Sequence, residues 1–154
     1  MTRAQHLSVT LTDILDGDPW YASSLKSILQ GVTPVAAAAR PLTGAHTIWE
    51  IAAHIDSWNR VCLRRLAGEA VLEPDVNFPA PESISPEEWR QLQIRLDASC
   101  RELIAGVASL TPAELAATVP GKTDTVDFLI EGVGQHWIYH SGQMALLKRA
   151  LMDA

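Results

Sequence analysis

Gly132-Val133-Gly134-Gln135-His136-Trp137-Ile138-Tyr139-His140-Ser141-Gly142-Gln143-Met144-Ala145-Leu146-Leu147 is the stretch on which the fold is read. Leu129, Val133, His136, His140, Met144, Leu147 and Leu151 follow steps of four and three, the rhythm of the core row of a bundle helix. Two positions of that row hold histidine where leucine is expected. Four residues apart, their imidazoles share one helix face, one turn from each other. A buried imidazole needs partners for both ring nitrogens or it costs stability. A metal ion is one way to satisfy a nitrogen of each together.

The helix that carries this stretch is predicted to start near Asp124 or Thr125 and to run to about Met152. Upstream of it, Pro120-Gly121-Lys122-Thr123 is a turn, and Thr111-Pro112-Ala113-Glu114 caps a short helical piece. Ser85-Pro86-Glu87-Glu88 reads as a capping box for a helix whose face is Trp89, Leu92, Leu96, Cys100, Leu103 and Val107. Another box, Thr47 with Glu50, opens a helix with Ile48, Ile51, Ile55, Cys62 and Leu66 on its apolar side and Gly68 as its stop. Between the two, residues 69–84 hold Glu73-Pro74-Asp75 and Phe78-Pro79-Ala80-Pro81, too rich in proline for helix. That length suits a crossover rather than a hairpin turn. Residues 2–30 read as helix interrupted at Gly17-Asp18-Pro19, with Asp18 as cap and Pro19 as first residue of a new start. Leu7, Leu11, Ile14 and Leu15 form the face before the break, and Trp20, Ser24, Leu25, Ile28 and Leu29 the face after it. Thr33-Pro34 begins a short alanine-rich turn that Arg40-Pro41 ends. No repeat or convincing strand is visible. The expected fold is all-α, a four-helix bundle formed by a single domain over residues 1–154.

Composition narrows the function. Apolar residues make up 47% of the 154 residues and charged residues 19%, which suits a packed core and argues against disorder. The formal charge is −6, so nothing advertises binding to nucleic acid or to an anionic membrane. No apolar run approaches a membrane span, and residues 1–15 do not resemble a signal peptide. Cys62 and Cys100 form no CxxC and read as small buried hydrophobes in a reducing compartment. A cytoplasmic protein is expected.

The chemistry rests on a conjunction. His54 lies inward on a helix that a bundle can bring opposite His136 and His140. Three imidazoles from two helices make a site for Zn²⁺, Ni²⁺ or Fe²⁺ with open positions for water or substrate. A metalloprotease base of the H-E-x-x-H kind is missing, because Trp137 follows His136. Gln143, near the same face, is either a hydrogen-bonding partner for a water or substrate at the metal or a polar residue at a helix contact. Tyr139 and Trp58 can line a pocket, although packing explains them as well. Glu50 can orient His54, yet its capping role already accounts for it. His6 and His46 read as solvated, with His46 able to reach the mouth of a site. Asp56, Asn59 and Arg60 read as solvent-facing, and the pair Arg64-Arg65 as surface arginines that could attract an anionic group.

The segment Thr47-Ile48-Trp49-Glu50-Ile51-Ala52-Ala53-His54-Ile55, followed by Trp58 and Leu66-Ala67-Gly68, resembles the second helix of the DinB-like family. Gly132-Val133-Gly134-Gln135-His136, Tyr139-His140-Ser141-Gly142-Gln143 and Ala145-Leu146-Leu147 resemble its last helix, and Trp20, Phe78-Pro79 and Trp89 extend the likeness over nearly the whole chain. The resemblance implies an up-down-down-up bundle with a long crossover between helices 2 and 3. It also implies a divalent metal held by three histidines, which fall here on His54, His136 and His140, and a homodimer. Relatives of this kind include thiol-dependent transferases and isomerases that use bacillithiol or mycothiol, and metal-dependent hydrolases. The leading expectation is therefore a metal-dependent S-transferase acting on a small molecule with a low-molecular-weight thiol, with Gln143 and Tyr139 as candidate catalytic residues. The alternatives are a metal-dependent hydrolase, a non-catalytic metal-binding dimeric stress-response protein, and a bundle whose histidines are satisfied without metal.

Overall fold

The computed structural model describes residues 1–152; the last two positions of the expected 1–154 domain lie outside the described residues. The described chain is all-α, with α1 Arg3–Asp16, α2 Leu25–Leu29, α3 Pro34–Ala38, α4 Ile48–Leu66, α5 Pro86–Ala108, α6 Pro112–Ala116 and α7 Val126–Met152. Its only β pairing among the described residues is an isolated bridge between Thr118 and Thr125.

Local chemistry explains where the helices begin. The Thr47 and Thr111 boxes close in both directions, and Thr2 makes a third with Gln5 that was not anticipated. Each such cap is worth about 1 kcal/mol. At α5 the box is half made. Ser85 accepts from the Glu88 amide, but the Glu88 carboxylate turns back to the Ser83 amide and hydroxyl. α4 ends before Gly68, whose φ of +94° only glycine adopts readily.

The four long helices form a ring of contacts, α1 against α5 and α7, and α4 against α5 and α7. One continuous core fills the space between them. Trp49 packs on Trp89, and ten residues further along α4 Asn59 meets Ser99 and Cys100. Contacts therefore advance in the same sense along α4 and α5. Parallel neighbours require a connection that crosses back the length of the bundle, and this is what residues 67–85 do.

Four expectations need correction. Pro19 does not start a helix. Residues 17–24 are a loop, α2 begins at Leu25, and Trp20 is fully exposed rather than on a core face. An X-Pro step favours extended backbone, and five helical residues were too few to reach back to it. Asp56 and Asn59 are buried, while Arg60 is exposed as expected. Asn59 is 1% exposed and sits in a polar knot. Its Oδ1 accepts from Trp137 Nε1 at 2.9 Å, and its Nδ2 reaches Ser99 Oγ at 3.1 Å and Cys100 Sγ at 3.2 Å. Asp56 spends one oxygen on Arg60 at 3.3 Å and leaves Oδ1 buried without a partner among the described residues. Arg65 is buried as well. The fourth correction is a rotation of the α7 face. The buried row is Ile130, Val133, Gly134, Trp137, His140, Ser141, Met144 and Leu147, with Trp137 fully enclosed. His136 and Leu129 lie on its edge, which is what turns the histidine pair toward a cavity.

Candidate metal centre

α4 and α7 carry three imidazoles to one point. One ring nitrogen each of His54, His136 and His140 lies within 4.8 Å of the others. His54 Nε2 and His136 Nε2 are 2.9 Å apart. Nitrogens bound to one ion at about 2.0–2.1 Å stand about 3.0–3.4 Å from each other, so the spacing needs only a small opening to accept one. His54 and His140 are buried, and His136 is half-buried.

The second nitrogens decide what the first can do. The Asn77 main-chain carbonyl lies 2.7 Å from His54 Nδ1, and Gln143 Oε1 lies 2.6 Å from His140 Nδ1. A carbonyl oxygen can only accept, so each Nδ1 carries the proton. On a neutral ring Nε2 is then left with a bare lone pair. All three rings are held neutral. Burial pushes each pKa below the usual histidine range, and for His136, with His140 and His54 beside it, down to about 3. Three neutral imidazoles, two of them oriented through their far nitrogen by a carbonyl, are a donor set a divalent metal takes.

The long connection proves to be a wall of the site. Phe78 stacks on His54 with ring centroids 4.0 Å apart and planes 5° from parallel; its other face covers His46 at 3.6 Å and 6°. Asn77 is held twice, by His54 through its carbonyl and by Trp58 Nε1 through its side chain at 2.8 Å. Arg65 fastens the start of the same segment, donating to the carbonyls of Val71 and Leu72 while its guanidinium lies 5.7 Å from the centre of the Trp58 ring.

A cavity of about 550 Å³ opens on the histidines and is lined also by Trp58, Cys62, Arg65, Asn77, Phe78, Lys122, Asp124 and Tyr139. Tyr139 is largely exposed at its edge. A larger cavity of about 860 Å³, between α2 and α5, contains no histidine. Size therefore does not pick out the chemistry here; the donor set does.

The three predicted histidines come together. Gln143 does reach the site, where it meets His140 Nδ1, an orienting contact that was not among the roles expected of it. Trp58 lines the cavity and secures Asn77. Glu50 caps α4, pairs with Arg40 and His46, and makes no hydrogen bond to His54. His46 reaches the mouth through Phe78, whereas His6 is exposed and is not among the residues lining the cavity. Cys62 and Cys100 are free and buried, and desolvation pushes their thiols up to about 11 and about 12, which leaves both poorly nucleophilic near neutral pH. Sequence reasoning missed Asn77 as an orienting group. A main-chain carbonyl in a proline-rich connection leaves no side-chain signal. Phe78 was visible only as part of a family likeness.

Residues 22–144 match the DinB superfamily, a span that holds all three histidines, the Asn77-Phe78 wall and Gln143. No curated protein and no solved structure matches the chain. With the match covering most of the chain and the imidazoles converging as in a metal-binding protein, the chain belongs to the DinB superfamily.

Proposed function

We propose that this protein is a divalent-metal-dependent enzyme in which His54, His136 and His140 are the protein ligands, and that it transfers a low-molecular-weight thiol of the bacillithiol or mycothiol type to a small electrophile. We place it in the cytoplasm as a homodimer. The observation that carries the reading is the incomplete donor set. Among the described residues only three ligating side chains converge, and the side they leave open faces a cavity of about 550 Å³. Structural zinc sites are closed by a fourth protein ligand, and catalytic ones keep a position for water or substrate.

A zinc, nickel or iron ion held there would lower the pKa of a thiol or water reaching the site and so supply a nucleophile near neutral pH. The chain's own part is positional. Asn77 and Gln143 hold the Nε2 lone pairs of His54 and His140 inward. Phe78 and Trp58 shield the site from water on one side, and the Tyr139 phenol stands at the rim as a hydrogen-bond donor for a ligand. In the transfer, sulfur bonds to the electrophilic carbon as the carbon–halogen bond breaks. The halide leaves with the electron pair and the thiol proton passes to solvent. Asp124, a carboxylate in the cavity wall, supports hydrolysis as a second reading, with this side chain as general base for water.

The test starts with protein purified without a histidine tag. Stoichiometric metal that disappears in the His54→Ala, His136→Ala double variant is expected; its absence from the parent protein would remove the metal reading. Metal-loaded protein is then assayed with bacillithiol, mycothiol and glutathione against a chlorinated electrophile. Conjugate formation with one thiol is expected. No conjugate with any of them, metal being bound, refutes transfer, and ester hydrolysis lost in Asp124→Asn would establish the second reading.

A further inference from the structure

Arg65 is 8% exposed, yet among the described residues no carboxylate lies within ion-pair distance of it. A buried charge without a counter-charge is costly, and proteins seldom leave one so. Its neighbours do not repay that cost. Nε and Nη2 donate to the neutral carbonyls of Val71 and Leu72, the Trp58 ring lies against the guanidinium, and Nη1 has no acceptor among the described residues. The group lines the same cavity as the histidines. Lys122, the other cation of that wall, is exposed and makes no ion pair among the described residues. Asp124 is the one carboxylate there among the described residues, so two positive charges face one negative charge inside a chain of net charge −6.

We propose that this end of the cavity is a carboxylate subsite, in which Arg65 and Lys122 bind the acid group of a ligand whose reactive end lies at the three histidines. The inference rests on the proposed site and names the class of molecule it takes. With one edge of the guanidinium given to the Val71 and Leu72 carbonyls, a single two-donor edge remains, which matches the two oxygens of a planar carboxylate. A cavity of about 550 Å³ has room for a small molecule with an acid at one end and a reactive group at the other. Arg65 and Lys122 are thus specificity-determining residues; neither touches the reacting atoms.

The experiment compares mercaptosuccinate with its dimethyl ester by calorimetric titration, in metal-loaded and metal-free protein. The acid is expected to bind at least about tenfold more tightly than the ester in both forms, as charged hydrogen bonds contribute. In Lys122→Gln, and in Arg65→Lys, which keeps the charge and loses the fork, the preference should fall to about threefold or less with metal content unchanged. Phenylacetate against phenylacetamide distinguishes an acid carried by the other reactant from one carried by the thiol. Equal binding of acid and ester overturns the proposal. So does a preference that survives both variants or exists only with metal, because the carboxylate would then be bound by the ion. Should Arg65→Lys prove misfolded by circular dichroism, Lys122→Gln decides alone. Loss of metal binding would sink the parent reading while the metal-free titration still answers this one.

Discussion

Replacing Asn59 by alanine should destabilise the protein more than its position on a long polar-looking helix suggests. Asn59 accepts from Trp137 Nε1, and Trp137 is fully buried, so truncation strands an indole N–H where no water reaches. A stranded buried donor costs about 1–3 kcal/mol. The lost contacts to Ser99 and Cys100 and the small void add to this, for a total of about 3–4 kcal/mol. At this chain length that corresponds to a fall in Tm of roughly 10 °C. The sharper measurement is a double-mutant cycle with Trp137→Phe, which removes the N–H and leaves an aromatic ring. In that background Asn59→Ala should cost about 1.5–2 kcal/mol less, within the range of directly coupled pairs. The assay is urea unfolding of metal-free protein followed by circular dichroism, with m compared across the four proteins. Because this bond ties α4 to α7 next to His136, zinc affinity should fall in Asn59→Ala as well. Additive effects within about 0.5 kcal/mol would refute the argument, since the indole bond could not then be what makes Asn59 costly to lose.

Three further outcomes are expected. Gln143→Leu should lower zinc affinity about 10- to 100-fold while leaving the fold intact, because only the orientation of His140 is lost; competition with a chromogenic chelator measures it, and unchanged affinity would contradict the orienting role. Metal-free protein should lose stability as pH falls from about 6.5 to 5. The site histidines have folded pKa values pushed below the unfolded value of about 6.5, so the unfolded chain takes up protons there first. Thermal melts should show a slope that shrinks in His136→Gln, and a flat profile for the parent protein would dispose of the neutral, desolvated cluster. Zinc at about 100 times its dissociation constant should stabilise the protein by about 2.7 kcal/mol, an effect absent in the His54→Ala, His136→Ala variant; equal shifts in both proteins would move the metal elsewhere.

Much of the molecule is written locally. Thr47 with Glu50 and Thr111 with Glu114 announce helix starts because both halves of a cap lie within four residues. The all-α bundle follows from apolar steps of three and four and from a proline-rich break too long for a hairpin. His136 and His140 form a pair by helix geometry alone. Where the sequence misled, the deciding partner lay elsewhere in the chain. Asn59 looks like surface until Trp137, seventy-eight residues later, supplies the donor that lets it be buried. Arg65 looks like one of two surface arginines until the crossover folds over it. Trp20 fits an apolar face that has no helix beneath it.

By itself, the sequence determined that the chain is helical, where its main helices begin, and that two imidazoles share one turn of the last, because each of these depends on residues within a few positions of one another. Tertiary structure alone decided that His54 stands 2.9 Å from His136, and that a carbonyl from the crossover fixes which nitrogen of His54 faces inward. It also decided that an arginine with no ion-pair partner among the described residues lines the same cavity. Those are facts about groups separated along the chain by up to eighty-two positions, and only packing determines the distance between them.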